Sequence, residues 1–218
     1  MLEALGFEIG RLLEGIAPLL DDTVVIFLGD NGTPAKVPVA PFDPLKAKST
    51  VYQGGIQVPM IISGWGVDAP GGECHALVNT TDVYATVAEL VGVNLEALLP
   101  ETVVTDSISF APYLSEPLQP SLRKLAYAER FFPSGFGPFT VWNQAIRNTC
   151  DKFIRNQEGV REFFDLREDP FELNNLLLGK LTQAELRQYQ GLEKAMDDLQ
   201  GEKAVIGAKA SLPVAGNG

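Results

Sequence analysis

At 218 residues, with 45% hydrophobic content, the chain has the make-up of a soluble globular protein, either one large domain or a domain with an appendage. A formal net charge of −11 argues against nucleic acid or an anionic membrane surface as the main partner. No stretch approaches the roughly 20 apolar residues needed to cross a bilayer.

Leu5, Ile9, Leu12, Leu13, Ile16 and Leu20 recur at helical spacing, which predicts an amphipathic helix from about Leu2 to Ala17, ended by Pro18 and the solvated turn Asp21-Asp22. Glu3, Glu8 and Glu14 interrupt this segment and no basic run precedes it, so it is not expected to be a signal peptide. Val24 to Leu28 are all apolar, the pattern of a strand covered on both faces in a parallel α/β sheet. Gly29, Asn31 and Gly32 break that strand and leave Asp30 at its carboxyl end, where open α/β sheets bind ligands. A carboxylate beside a carboxamide offers the hard oxygens that Ca²⁺ or Mg²⁺ prefers.

Residues 33–46 carry four prolines and read as a loop. Lys48 follows; by composition it is a solvated lysine, but Gly54-Gly55 nearby permits close backbone approach. Val58, Met60, Ile61 and Ile62 mark a second strand, with Pro59 placing it at an edge or bulge. A helix follows, with Thr81 or Asp82 as cap, Val83, Val87, Leu90 and Val91 on one face, and Gly92 as stop. Pro112, Pro117 and Pro120 suggest a linker.

Beyond it the pattern becomes strand, turn, strand. Leu125 to Arg130, Phe139 to Arg147, Lys152 to Asn156 and Arg161 to Leu166 predict an antiparallel meander with a Glu158-Gly159 turn. Leu181, Leu186, Tyr189, Leu192, Met196 and Leu199 then line an amphipathic helix. Cys74 and Cys150 read as buried free thiols, with a disulfide as the alternative. The lone His75 reads as a surface or capping residue.

The strand ending in Asp30-Asn31-Gly32, followed by Lys48-x-Thr-x-Tyr-x-Gly54-Gly55-Ile-x-Val-Pro59, resembles the sulfatases of the alkaline-phosphatase-like superfamily. Further matches in order are Asp82 with Thr86, Asp106-Ser-x-Ser109 (where the family has Asp-Gly-x-Ser), Ala145-Ile-Arg, Lys152-Phe-Ile, Phe164-Asp-Leu-x-x-Asp169-Pro and Glu172-x-x-Asn175-Leu. The resemblance covers about residues 5 to 200. It implies a partial α/β/α core over 1–116 and a small subdomain of antiparallel sheet plus helix over 117–200; residues 201–218, rich in Ala, Gly and small polar types, are expected to be a disordered tail.

The resemblance further implies that Asp30 and Asn31 ligate a divalent metal, usually calcium, and that Lys48 contacts the sulfate being hydrolysed. Asp82 and Thr86 are expected to start and pack their helix rather than to catalyse. Arg147, Arg155 and Arg161 are within the class of residues that reach toward an anion, though exposed strand arginines are commoner. Neither cysteine matches the family's Cys-x-Pro-x-Arg motif, whose cysteine becomes the formylglycine nucleophile. The amino-terminal acidic ligands and catalytic histidines also have no counterpart.

The chain therefore reads as the carboxyl-terminal part of a sulfuric-ester hydrolase, inactive alone and prone to self-association or to pairing with a complementing chain. Two alternatives stand beside this reading. One is a non-catalytic binding or assembly module, suggested by Gln53 and Gln57 where the family has Glu and Arg; the other is a phosphoester or phosphonate hydrolase of the same superfamily. Neither the sulfated alcohol nor the compartment is legible.

Overall fold

The computed structural model describes residues 2–100, 102–134 and 136–210, with side chains through Gln200. In chain order the elements are α1 (Leu2–Gly15), β1 (Val24–Leu28), α2 (Gln53–Ile56), β2 (Met60–Gly64), α3 (Asp82–Leu90), α4 (Leu95–Leu98), β3 (Ala126–Phe132), β4 (Val141–Arg147), β5 (Asp151–Asn156), β6 (Arg161–Asp165) and α5 (Gln183–Ala210). Short 3₁₀ turns lie at Ala17–Asp22, Pro44–Lys46, Ala111–Leu114 and Leu176–Leu178. The chain divides into two compact units, one made of residues 1–30 with 58–123, the other of 31–57 with 124–218.

In the first unit β1 pairs with β2 in antiparallel register, from Val24 opposite Gly64 to Leu28 opposite Met60. Sequence pattern predicted the strand but not its surroundings. Among the described residues β1 has this one neighbour, the pairing is antiparallel, and all five residues are half-exposed rather than covered on both faces. An apolar run sets strand propensity; it does not count neighbours. The α1 helix forms as its spacing predicts, yet its apolar stripe is only partly covered: Ile9 and Leu13 are half-buried, Leu5 and Leu12 exposed.

The core of this unit is partly polar. Asp82 and Thr86, one helical turn apart, are fully buried. Asp82 accepts hydrogen bonds from the Asn79 and Ile108 N–H groups (2.8 Å each) and from Arg123 Nε (2.8 Å), and the Arg123 guanidinium also reaches its other oxygen. Thr86 donates to the Asp82 carbonyl (2.7 Å) and accepts from the Phe110 N–H (2.9 Å). This corrects the expected valine face of α3: Val87 and Val91 are exposed, because the side of α3 carrying Asp82 and Thr86 is the one bonded to residues 106–110 and Arg123. Ser107 accepts from the Ala85 N–H and donates to the Thr81 carbonyl. Cys74 is exposed and Cys150 half-buried, both free, so the buried-thiol expectation fails at Cys74; His75 lies at the surface.

The second unit is a four-stranded antiparallel meander, β3-β4-β5-β6, with α5 against it. Its β4–β5 and β5–β6 turns are closed by asparagines. Asn148 Oδ1 accepts from the N–H groups of Cys150 and Asp151, and Asn156 Oδ1 from those of Glu158 and Val160, with Gly159 at φ +80° completing the second turn.

Alternation along the strands splits the apolar residues between two faces. Ala145, Ile154 and Phe164 pack with Val51 and Leu166 on one side; Ile146, Phe153 and Phe163 pack with Leu192 and Met196 on the other. The start of α5 is a capping box, in which Thr182 Oγ1 accepts from the Glu185 N–H and Glu185 Oε2 accepts from the Thr182 N–H. The helix runs through the first part of the segment expected to be disordered, to Ala210; residues 211–218 lie outside the described residues. Among the described residues no helix is long and apolar enough to cross a membrane.

Candidate functional site

Beyond β1 the chain continues its pairing for one residue, the Gly29 N–H donating to the Pro59 carbonyl (3.0 Å). Asp30 and Asn31 follow, both exposed, at the carboxyl end of the strand. Gly32 then lies flat against the glycine pair. Its N–H donates to the Gly55 carbonyl (2.9 Å), and a Cβ placed on it would fall 2.0 Å from the Gly54 oxygen and 2.7 Å from Gly55 Cα. Gly55 is confined in the same way, its imagined Cβ 2.4 Å from the Thr50 carbonyl oxygen. Gly32 is therefore fitted backbone to backbone against the glycine pair, where a side chain would force the two segments apart, and a side chain on Gly55 would collide with the turn at Thr50 and Ala47.

One residue further, the Lys48 N–H donates to the Thr33 carbonyl (2.9 Å). Lys48 is exposed, flanked by the buried anchors Ala47 and Val51, which are 2% and 3% exposed. Ser49 turns the chain with φ +72°, and Thr50 Oγ1 closes the turn on the Ala47 carbonyl (2.7 Å). Asn31 and Lys48 thus belong to two segments joined by the Gly32–Gly55 and Thr33–Lys48 hydrogen bonds, with Asp30 the residue before.

The same loop is tied to the meander. Lys152 in β5 and Glu172 are essentially inaccessible, at 0% and 1%, and form an ion pair at 2.6 Å between Nζ and Oε1. The other carboxylate oxygen accepts from the Gln53 N–H at 2.5 Å, and Lys152 also donates to Gln53 Oε1 at 3.3 Å. Lys46 donates to the Glu172 carbonyl, with its ammonium over the Tyr52 ring (4.8 Å) and the Phe164 ring (5.2 Å). The Tyr52 hydroxyl donates to Glu162, and burial together with that carboxylate pushes its ionisation well above the ordinary tyrosine range. Burial pulls the Lys152 ammonium down to about 8, with the Glu172 charge opposing the shift.

Sequence reasoning named Lys152 and Glu172 only as parts of matching motifs and gave them no role. The available signal was a lysine between Asp151 and Phe153 in a strand with apolar residues on both faces. Two of the strand arginines are engaged by the chain's own side chains, Arg161 while remaining exposed. Arg155 donates to Gln144, Asp197 and Gln200, and Arg161 pairs with Glu193 at 2.5 Å. Arg147, half-buried, donates to the Asn148 and Thr149 carbonyls. Gln53 and Gln57 hydrogen-bond to each other at 3.2 Å across one helical turn.

For a divalent cation the side chains at hand are one carboxylate, Asp30, and one carboxamide, Asn31. These oxygens suit a hard cation in kind, but they supply two of the six to eight that calcium takes. Among the described residues no three His, Cys, Asp or Glu side chains converge as a metal site. Lys48 adds an exposed ammonium able to contact an oxyanion.

Comparison with known proteins gives a consistent picture. The family model described as Sulfatase matches residues 3–93. A choline-sulfatase of Rhizobium meliloti (strain 1021) is 29% identical over 206 residues, covering 91% of this chain and 36% of its own length. A sulfatase of Formosa agariphila is 36% identical over 195 residues, covering 86% of this chain and 33% of its own. The solved PsFucS1 sulfatase from Pseudoalteromonas sp. superposes with a TM-score of 0.60 at 24% identity, over 89% of this chain and 40% of that one. The chain spans about a third of the length of the curated relatives it matches.

Proposed function

The chain belongs to the sulfatase family, and from that premise we propose that it supplies the carboxyl-terminal, substrate-contacting part of a sulfuric-ester hydrolase. The observation that supports this reading is the joining of the two motif segments: the Gly32–Gly55 and Lys48–Thr33 hydrogen bonds hold the segments of Asn31 and Lys48 in one loop arrangement. In the proposed reaction Lys48 contacts a sulfate oxygen and compensates charge there. Asp30 and Asn31 would hold part of the shell of a divalent cation, calcium or magnesium. Such an ion, when bound, would neutralise sulfate oxygens and raise the electrophilicity of sulfur.

The nucleophile and the proton donor for the leaving alcohol have no candidates in this sequence. Cys74 and Cys150 stand in the contexts Cys-His-Ala and Cys-Asp-Lys, not in a Cys-x-Pro-x-Arg motif. A formylglycine and further metal ligands are accordingly proposed to come from an amino-terminal part outside this sequence, and the chain alone is expected to hydrolyse no sulfate ester.

Titrating the ¹⁵N-labelled chain with inorganic sulfate tests the binding half of the reading. Amide shifts should centre on Lys48 and its neighbours and vanish in Lys48→Ala. Shifts that persist unchanged in that variant would place any anion elsewhere. Turnover of an aryl sulfate by the purified chain would refute the division of labour.

A non-catalytic module is the second reading, favoured by Gln53 and Gln57 in place of Glu and Arg. The Gln53–Gln57 hydrogen bond weighs against it. A charged pair at i and i+4 has been exchanged for a neutral pair that still bonds, which keeps the turn beneath Gly54-Gly55 intact.

A further inference from the structure

We propose that Lys152 and Glu172 are positioning residues for the candidate site: through them the carboxyl-terminal sheet fixes the loop that presents Lys48 and thereby sets its affinity for sulfate. The inference rests on the reading of Lys48 as a sulfate contact, and it extends that reading to two residues with no access to solvent or substrate.

The contacts are directional. The Glu172 carboxylate accepts from the Gln53 N–H, the Lys152 ammonium donates to the Gln53 side-chain oxygen, and the Glu172 carbonyl accepts from the Lys46 ammonium. All three end on residues 46 and 53, which bracket Lys48. Between those fixed points lie the two buried anchors Ala47 and Val51 and the Lys48–Thr33 hydrogen bond. The tether therefore holds both ends of an eight-residue segment whose only exposed cation is Lys48.

Energy favours the same interpretation. Removing an ammonium and a carboxylate from water costs several kcal/mol each, and apolar residues of similar volume often do as well or better for stability. Here Lys152 lies on the same face of the sheet as Ile154 and Phe164, members of an apolar cluster that could have been extended across it. What an apolar pair would not supply is an acceptor for the Gln53 N–H, and hence a fixed orientation for the turn that starts the Gly54-Gly55 pair. Glu172 meets that need from a left-handed conformation, φ +57°, an uncommon one for a residue with a side chain.

The test compares the full ¹⁵N-labelled chain with the double variant Lys152→Met/Glu172→Leu, which removes both charges together, and with Lys46→Met, which cuts the tether at its half-buried end. Amide exchange is read at Gly32, Lys48 and Gln53 against Phe153 and Phe163, alongside a titration with inorganic sulfate. Exchange at the loop amides is expected to rise at least tenfold in both variants while the two strand amides keep wild-type protection, and the sulfate dissociation constant is expected to weaken at least threefold.

Loop amides that exchange at wild-type rates overturn the proposal. So does a loss of protection by the same factor in loop and sheet, which would assign the pair to core stability alone. If the double variant does not fold, Lys46→Met decides by the same criterion. A wild-type chain with no sulfate-dependent shift at Lys48 overturns the sulfate reading alone, because the exchange rates judge the tether separately.

Discussion

Substituting Gly32 by alanine should separate the two motif segments while leaving the meander folded. The new Cβ would stand 2.0 Å from the Gly54 oxygen, against the 3.4 Å at which ordinary contact begins. The segments must then part by about 1.4 Å, the difference between those two distances. A retreat of that size stretches the 2.9 Å hydrogen bond from Gly32 to Gly55 far beyond the roughly 3.2 Å limit of a useful bond. The neighbouring Lys48–Thr33 bond, one residue away, goes with it. Two backbone hydrogen bonds at about 1 kcal/mol each, plus about 1–3 kcal/mol for overpacking, put the loss at about 3–5 kcal/mol if the loop unfolds with the rest.

If the loop opens by itself, the loss appears instead as local exchange. Urea unfolding followed by tryptophan fluorescence reads the first quantity, and amide exchange at Lys48 the second. A Gly32→Ala chain with an unchanged urea midpoint and a protected Lys48 amide would refute the contact between the two segments.

Three further outcomes are expected. Lys48→Ala should change the stability by no more than about 0.5 kcal/mol, because the side chain is exposed; a larger loss by urea unfolding would show that Lys48 is structural. Arg123→Met should cost about 3–5 kcal/mol, because it strands the buried Asp82 carboxylate without its cation, and Arg123→Met with Asp82→Asn should recover part of that loss; no recovery would locate the cost elsewhere.

The third concerns pH. Lys152 titrates near 8 when folded against 10.5 as a free side chain, with Glu172, Arg147 and Glu162 as the charges around it. Between those values the unfolded chain binds the extra proton, so this group makes the fold more stable as pH rises, by up to about 3 kcal/mol. The urea stability of wild type relative to Lys152→Met should therefore grow from pH 7.5 to 9.5, and a flat or falling difference would contradict it.

The meander was legible because its strands carry alternating apolar residues and its turns carry asparagine and glycine, all local signals. The helix after residue 182 was legible for the same reason, its stripe ending up on Phe153 and Phe163. The pairing of β1 was not, since Val24 to Leu28 would read alike beside a parallel or an antiparallel neighbour. The buried side of α3 was misjudged because Asp82 becomes a core residue only when Arg123, 41 positions later, reaches it. Lys152 and Glu172 follow the same logic: each looks like a surface residue until the other is placed. As for the candidate site, the motif gave the residue types, and the backbone fit between Gly32 and Gly55 required the structure.

The separation along the chain between the Gln53 N–H and the carboxylate that receives it is 119 residues. At a synthesis rate of about 5–20 residues per second, the segment carrying Lys48 waits roughly 6–24 s for the glutamate that fastens it. Strand, helix and turn signals around residues 24–57 are complete well before then, but the fastening is not. The loop carrying Lys48 is thus fastened only once residue 172 has been made. A nascent chain stalled before residue 172 would carry the whole motif with the loop still unfastened.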